Sequence, residues 1–122
     1  MIRVLYVEDE PSQRELVNQL LKLAHIEVAL ATNGREGLAQ AKSWRPDVIL
    51  MDLRMPEISG FDTIERLQAD PETADTPIVI LSAWRSERHD QRARELAVAG
   101  YITKPFDLDE LVTAIRQVYR GA

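Results

Sequence analysis

Four short apolar runs in this chain each stop at a polar or charged residue, and that alternation admits few folds. Val4-Leu5-Tyr6-Val7 runs into Glu8-Asp9, and Val48-Ile49-Leu50-Met51 into Asp52. Pro77-Ile78-Val79-Ile80-Leu81 runs into Ser82, and Gly100-Tyr101-Ile102-Thr103 into Lys104-Pro105. Glu27-Val28-Ala29-Leu30-Ala31 reads as a further strand. Runs that stay apolar suit strands buried on both faces, as in a parallel sheet. Between the runs lie segments of helical period. Leu16, Val17, Leu20, Leu21 and Ala24 form the first, with Pro11 and Ser12 at its start and Glu15 placed after Ser12 as in a capping box. After the Asn33-Gly34 turn, Glu36 to Lys42 reads as a short helix with Leu38 and Ala39 inward. Phe61, Ile64, Leu67 and Gln68 begin a third. Ser86 to Val98 is weakly amphipathic, with Ala93, Leu96 and Ala97 as its apolar side. Leu108, Leu111, Val112, Ile115 and Val118 define the last, with Asp107 as N-cap. Strands alternating with helices predict an α/β domain, a five-stranded parallel sheet with helices on both faces.

At 122 residues, one domain spanning 1–122 is expected, with no second domain after it. A chain of this size buries roughly two-thirds of the surface it exposes unfolded, so it needs no disulfide staple. Cysteine is absent, which fits a reducing compartment. Met1-Ile2-Arg3-Val4 leads straight into strand pattern without a signal core. No apolar run approaches the ~20 residues that span a bilayer. A cytoplasmic protein without membrane insertion is expected. Fifteen Lys and Arg against twenty Asp and Glu give a net charge of -5, which argues against direct nucleic-acid binding. Arg85, Arg88, Arg92 and Arg94, interleaved with Glu87, Asp90 and Glu95, read as a solvated helix face, with a docking surface as the alternative. His25 and His89 read as ordinary surface or helix-end residues.

In open parallel sheets, ligands sit beyond the carboxyl ends of the strands. Neighbouring strands lie ~4.8 Å apart. If the first and third runs are neighbours, Glu8, Asp9 and Asp52 meet within a few ångströms. Three such carboxylates repel, and at least one pKa rises. A divalent cation relieves this, and oxygen ligands with room for waters suit Mg²⁺. Ser82 and Lys104 bring a hydroxyl and an ammonium to the same edge.

These residues, in this order, resemble the receiver domain of two-component response regulators. The motifs are Val7-Glu8-Asp9-Glu10, Leu50-Met51-Asp52-Leu53-Arg54-Met55-Pro56, Gly60, Leu81-Ser82-Ala83 and Lys104-Pro105-Phe106, and the likeness covers Ile2 to about Tyr119. The resemblance implies a flavodoxin-like fold with strand order 2-1-3-4-5. It implies that Asp52 accepts a phosphoryl group from a histidine kinase or histidine phosphotransfer protein. Asp9, Asp52 and the backbone carbonyl of Arg54 would then hold Mg²⁺, with Glu8 acting through a water. Lys104 would contact phosphoryl oxygens, Ser82 would follow the group, and Tyr101 would change rotamer with it. The Lys104-Pro105 bond is similar to one that is cis in the family. Arg54 and Trp84, each two residues past a site residue, stand where receivers tune phosphoryl lifetime. Glu8 stands where many members carry Asp, and Ser82 where many carry Thr. Output would pass through the Ser86–Val98 helix, the last strand and the last helix to another protein, from a monomer or a phosphorylation-dependent dimer.

Such a protein is a signalling receiver whose chemistry is limited to its own phosphorylation and dephosphorylation, not an enzyme. Two other classes stay open. One is a metal-dependent phosphohydrolase with an aspartyl-phosphate intermediate, although Arg54 offers no general acid two residues after Asp52. The other is an unphosphorylated interaction module, against which the full acid set, Ser82 and Lys104 weigh. The sequence names neither the donor nor the target.

Overall fold

The structure, a computed structural model, describes residues 1–121. Strands and helices alternate throughout: β1 (Arg3–Val7), α1 (Pro11–Leu23), β2 (Glu27–Ala31), α2 (Gly34–Trp44), β3 (Val48–Met51), α3 (Gly60–Ala69), β4 (Ile78–Ser82), α4 (Glu87–Glu95), β5 (Gly100–Thr103) and α5 (Leu108–Val118). The strands form one sheet in the order β2-β1-β3-β4-β5, parallel at every pair, as the resemblance implied. No helix is long and apolar enough to cross a membrane among the described residues.

Alternation along each strand divides the core in two. Val4, Tyr6, Val48, Leu50, Val79, Leu81 and Ile102 face α1 and α5, where Val17, Leu21, Leu111, Val112 and Ile115 meet them. Leu5, Val7, Ile49, Met51, Ile78 and Ile80 face the opposite way, toward Ala41, Ile64, Leu67 and Ala93 of α2, α3 and α4. Both layers are buried, which is why the strands read as unbroken apolar runs.

Register brings the strand ends level. Val7 pairs with Met51, Met51 with Ile80, and Ser82 with Thr103. The ladder runs one step further: the Asp52 amide donates to the Val7 carbonyl at 3.1 Å and the Lys104 amide to the Ser82 carbonyl at 3.0 Å. Glu8, Asp52 and Lys104 therefore leave the sheet at one edge.

The helices differ from the expected pattern in four places. Helix α1 is capped by Glu10, not by Ser12 with Glu15. Pro11 at the first helical position has no N–H, and the Glu10 carboxylate accepts from the amides of Ser12 (3.2 Å) and Gln13 (2.8 Å). Leu16 is 48% exposed, because Val17 and Leu21 take the inward stripe. In α2, Ala39 points to solvent, while Gly34, Gly37 and Ala41 are buried. Helix α4 ends at Glu95, short of Val98, and Ala97 turns out of it at a φ of 54°. The expected cap Asp107 behaves as one, accepting from the Glu110 amide at 2.8 Å, and Asn33, read only as part of a turn, caps α2 by accepting from the Glu36 amide at 2.9 Å.

Gly60 sits where α3 begins, its amide donating to the Leu53 carbonyl at 3.0 Å. A Cβ there would run into the Asp52 carbonyl and stand 2.7 Å from Leu53 Cα, both backbone. Alanine is the better helix former by up to about 1 kcal/mol, less at a terminus. Backbone atoms cannot step aside, so the clash wins. Gly60→Ala is expected to cost about 1–3 kcal/mol in urea unfolding and to shift the Asp52 amide resonance; unchanged stability would show that the loop yields freely.

Candidate functional site

The acids converge as expected. Glu8, Asp9 and Asp52 each offer a carboxylate oxygen, and these lie within 4.8 Å of one another. Glu8 and Asp52 are only 2% and 6% exposed. Lys104 reaches in from the end of β5, its Nζ 2.7 Å from Glu8 Oε1 and 3.8 Å from Asp52 Oδ1. The Lys104-Pro105 peptide is cis. Ser82 closes β4 beside them, with its Oγ accepting from the Trp84 amide at 3.1 Å. A cleft of roughly 930 Å³ opens above, bordered by Glu8, Asp9, Asp52, Ser82 and Lys104, with Leu16 and Phe106 on its apolar rim.

Two residues that sequence reasoning passed over hold this site together. Tyr6 is fully buried and donates its hydroxyl to Glu8 Oε1 at 2.9 Å. Its spacing of two from Glu8 places both side chains on one side of the strand, which was a readable signal. Burial, then the adjacent Glu8 charge, push the Tyr6 phenol far above its usual range. Arg14 Nη1 donates to the carbonyls of Glu8 (2.9 Å) and Asp9 (2.8 Å), pinning the acidic turn to α1. No sequence pattern announces that contact.

Charge is unevenly shared among the acids. Burial and the neighbouring Glu8 carboxylate push Asp52 up to about 7, against a partial offset from Lys104. Burial and Glu8 also raise Asp9. Glu8 goes the other way: burial opposes its ionisation, but the Lys104 hydrogen bond and charge, with Tyr6, outweigh it and lower its pKa. So Lys104 compensates Glu8 most directly and Asp52 only in part. Hard oxygen donors this close, unwillingly ionised, fit a divalent cation such as Mg²⁺.

Around the cleft, Arg54 lays its guanidinium over the Trp84 ring, Cζ 3.9 Å from the centroid. Trp84 is 47% exposed and stacks with His89 at 5.7 Å between centroids and 20° between planes. His89 also meets Phe61 at 5.9 Å. It is thus no ordinary surface residue, unlike the exposed His25 at the α1–β2 turn. The Tyr101 hydroxyl donates to the Trp84 carbonyl, and Arg85 lies over the Tyr101 ring at 4.4 Å.

Comparison with known proteins gives one consistent answer. Residues 4–116 match the model of the response regulator receiver domain family. Protein PilH of Pseudomonas aeruginosa is 33% identical over 121 residues, covering 99% of this chain and all of PilH. The DNA-binding dual master transcriptional regulator RpaA of Synechocystis is 34% identical over 98% of this chain, which spans half of RpaA. Among solved structures, the chemotaxis protein CheY4 of Vibrio cholerae superposes with a TM-score of 0.91 at 34% identity, over 97% of this chain and 98% of CheY4.

Proposed function

The chain belongs to the response regulator receiver domain family, the signal-accepting component of two-component systems, and from that premise we propose that Asp52 is the residue that receives the phosphoryl group, in a Mg²⁺-dependent transfer from a phosphohistidine. Members of this family are signalling proteins and not enzymes acting on a separate substrate. The observation that carries the reading is the meeting of three carboxylates with Lys104 Nζ in an open cleft.

An ionised carboxylate is a competent nucleophile toward phosphorus. In the proposed step an Asp52 oxygen bonds to phosphorus while the phosphorus–nitrogen bond of the donor breaks, and the imidazole leaves with the electron pair. Catalysis of such a transfer is mostly positioning and charge neutralisation. Asp9, Asp52 and the Arg54 carbonyl would hold Mg²⁺, with Glu8 acting through a water, and when bound the ion supplies positive charge to the carboxylates and phosphoryl oxygens. Lys104 supplies a second cation from the other side of Asp52. Its present hydrogen bond to Glu8 keeps the ammonium in place until a phosphoryl oxygen competes for it.

The donor would be a histidine kinase or histidine phosphotransfer protein. A phosphoryl group adds roughly -1.5 to -2 charges and three acceptor oxygens. Ser82 would follow it, and Tyr101 would respond through the loop it already holds at Trp84. One charge-assisted hydrogen bond is worth about 1.5–3 kcal/mol, against the roughly 5.5 kcal/mol that inverts a 1:99 equilibrium. The domain alone would thus shift partway, and a partner on α4, β5 and α5 would complete the change.

Incubation with Mg²⁺ and acetyl phosphate tests the reading. A receiver gains one acid-stable, hydroxylamine-labile phosphoryl group by intact mass. Repeated turnover of the donor would indicate a phosphohydrolase, and no incorporation an unphosphorylated module. Trp84, whose amide donates to Ser82 Oγ and whose ring lies under the Arg54 guanidinium, is proposed to keep water from the acyl phosphate while Arg54 offers it a cation. Trp84→Ala is expected to shorten the phosphoryl half-life severalfold in a ³²P-release assay; an unchanged half-life would refute the shielding.

A further inference from the structure

Helix α4 is poorly secured by apolar burial. Its nine residues, Glu87 to Glu95, bury only Ala93. Further along, Arg92 pairs with Glu65 of α3, and Gln68 donates to the Leu96 carbonyl. At its first turn, the helix is held by aromatic contacts. His89 stacks on Trp84 and packs against Phe61 at the start of α3. Trp84 is a fixed anchor, because its amide donates to Ser82 Oγ and its carbonyl accepts from Tyr101. The far end of this chain of contacts is Arg54, whose guanidinium lies over the Trp84 ring. Arg54 forms no salt bridge among the described residues, and it borders the cleft two residues from Asp52.

We propose that Arg54, Trp84 and His89 form a clasp that fastens the first turn of α4, and that Arg54 opens it by leaving the indole for the phosphoryl group on Asp52. The proposal rests on the phosphorylation reading above and adds to it a second, arginine-borne route from the site to α4. A half-exposed cation–π contact is a weak tie. A phosphoryl group offers the same guanidinium a charge-assisted, bidentate partner, which is stronger. The competition therefore favours release. Loss of Arg54 leaves Trp84 with His89 as its one stacking partner and a freer χ angle, so the platform under His89 loosens. The closed clasp also holds the His89 Nδ1 buried without a hydrogen-bond partner. Buried polar atoms are rarely left so. Opening returns that nitrogen to water, so the resting arrangement already leans toward release.

Amide hydrogen exchange of residues 87–95 tests this, in the intact chain with Mg²⁺, with and without beryllofluoride as a stable phosphoryl mimic. In resting Arg54→Gln, α4 is expected to exchange about threefold to fivefold faster than in wild type, the size of a lost exposed cation–π contact. Beryllofluoride should accelerate α4 in wild type by at least that factor and change Arg54→Gln less than twofold. His89→Ala should behave like Arg54→Gln at rest, which separates the clasp from any direct effect of Arg54 on the cleft. Equal resting exchange in wild type and both variants overturns the clasp. Equal acceleration of wild type and Arg54→Gln overturns its opening by Arg54. If the mimic gives no protection at the β3–α3 loop, the receiver reading itself fails and the opening falls with it, while the resting comparison still decides whether the clasp exists.

Discussion

Asp52→Asn is expected to lower phosphoryl incorporation from acetyl phosphate at least about 10³-fold, because the nucleophile itself is removed. The same change should make the unphosphorylated, metal-free protein more stable at neutral and alkaline pH. Burial and Glu8 raise the folded-state pKa of Asp52 from 3.8 to about 7. The fold therefore prefers the protonated acid. Its contribution is fully present below pH 3.8 and is lost as pH rises through about 7. At pH 8 asparagine spares the fold a buried carboxylate, a gain on the order of 2–4 kcal/mol at about 1.4 kcal/mol per pKa unit. Urea unfolding at pH 8 and pH 3.5 reads this directly: a large gain at the higher pH, little at the lower, and a smaller gain at pH 8 when Mg²⁺ is added. Label retained by Asp52→Asn would move the acceptor elsewhere. A variant less stable than wild type at pH 8 would mean that the three acids do not strain the fold.

Lys104→Met should be the second most damaging change, by two routes. Glu8 is left buried with Tyr6 and the Glu10 amide as partners and no counter-charge. Breaking a fully buried pair from one side costs about 3–5 kcal/mol, and the partial exposure of Lys104 places this one toward the lower end. With Lys104 gone, burial raises the Glu8 pKa in the folded variant, so the deficit should be fullest in alkaline solution and should shrink as falling pH protonates Glu8. Phosphoryl transfer should fall about 10²–10³-fold, the usual effect of losing one preorganised charge stabiliser. Lys104→Arg keeps the charge and should restore more of the stability than of the rate, because a planar fork cannot replace a compact ammonium at 2.7 Å from Glu8 and 3.8 Å from Asp52. Equal recovery of both would separate Lys104 from the chemistry.

The strands and the meeting of the acids were legible because they rest on period and topology. Two-sided burial leaves an unbroken run such as Val48–Met51, and parallel pairing brings the residues after each run to one edge. Strand order was not readable from period alone and came with the family likeness. Helix detail was harder. Ser12 followed by Glu15 has the spacing of a capping box, but Pro11 placed the cap one residue before itself and Glu10 had the reach to serve it. Leu16 and Ala39 fit a helical stripe whose inward width was set by their neighbours. Helix α4 was read too long because Leu96, Ala97 and Val98 are apolar, whereas the backbone turns left-handed at Ala97. His89 and Arg14 were not readable at all, since their partners lie on other elements and no spacing encodes them.

The sheet is also a partition. Side chains above and below it share strands but not neighbours, so a substitution such as Val17→Ala beneath α1 and α5 should sum with one such as Ile64→Ala under α3, while two changes within one compartment should not. A lineage can therefore remodel the storey beneath α3 and α4 without renegotiating the opposite one, and the acidic cleft, which sits on the shared edge, stays in register with both.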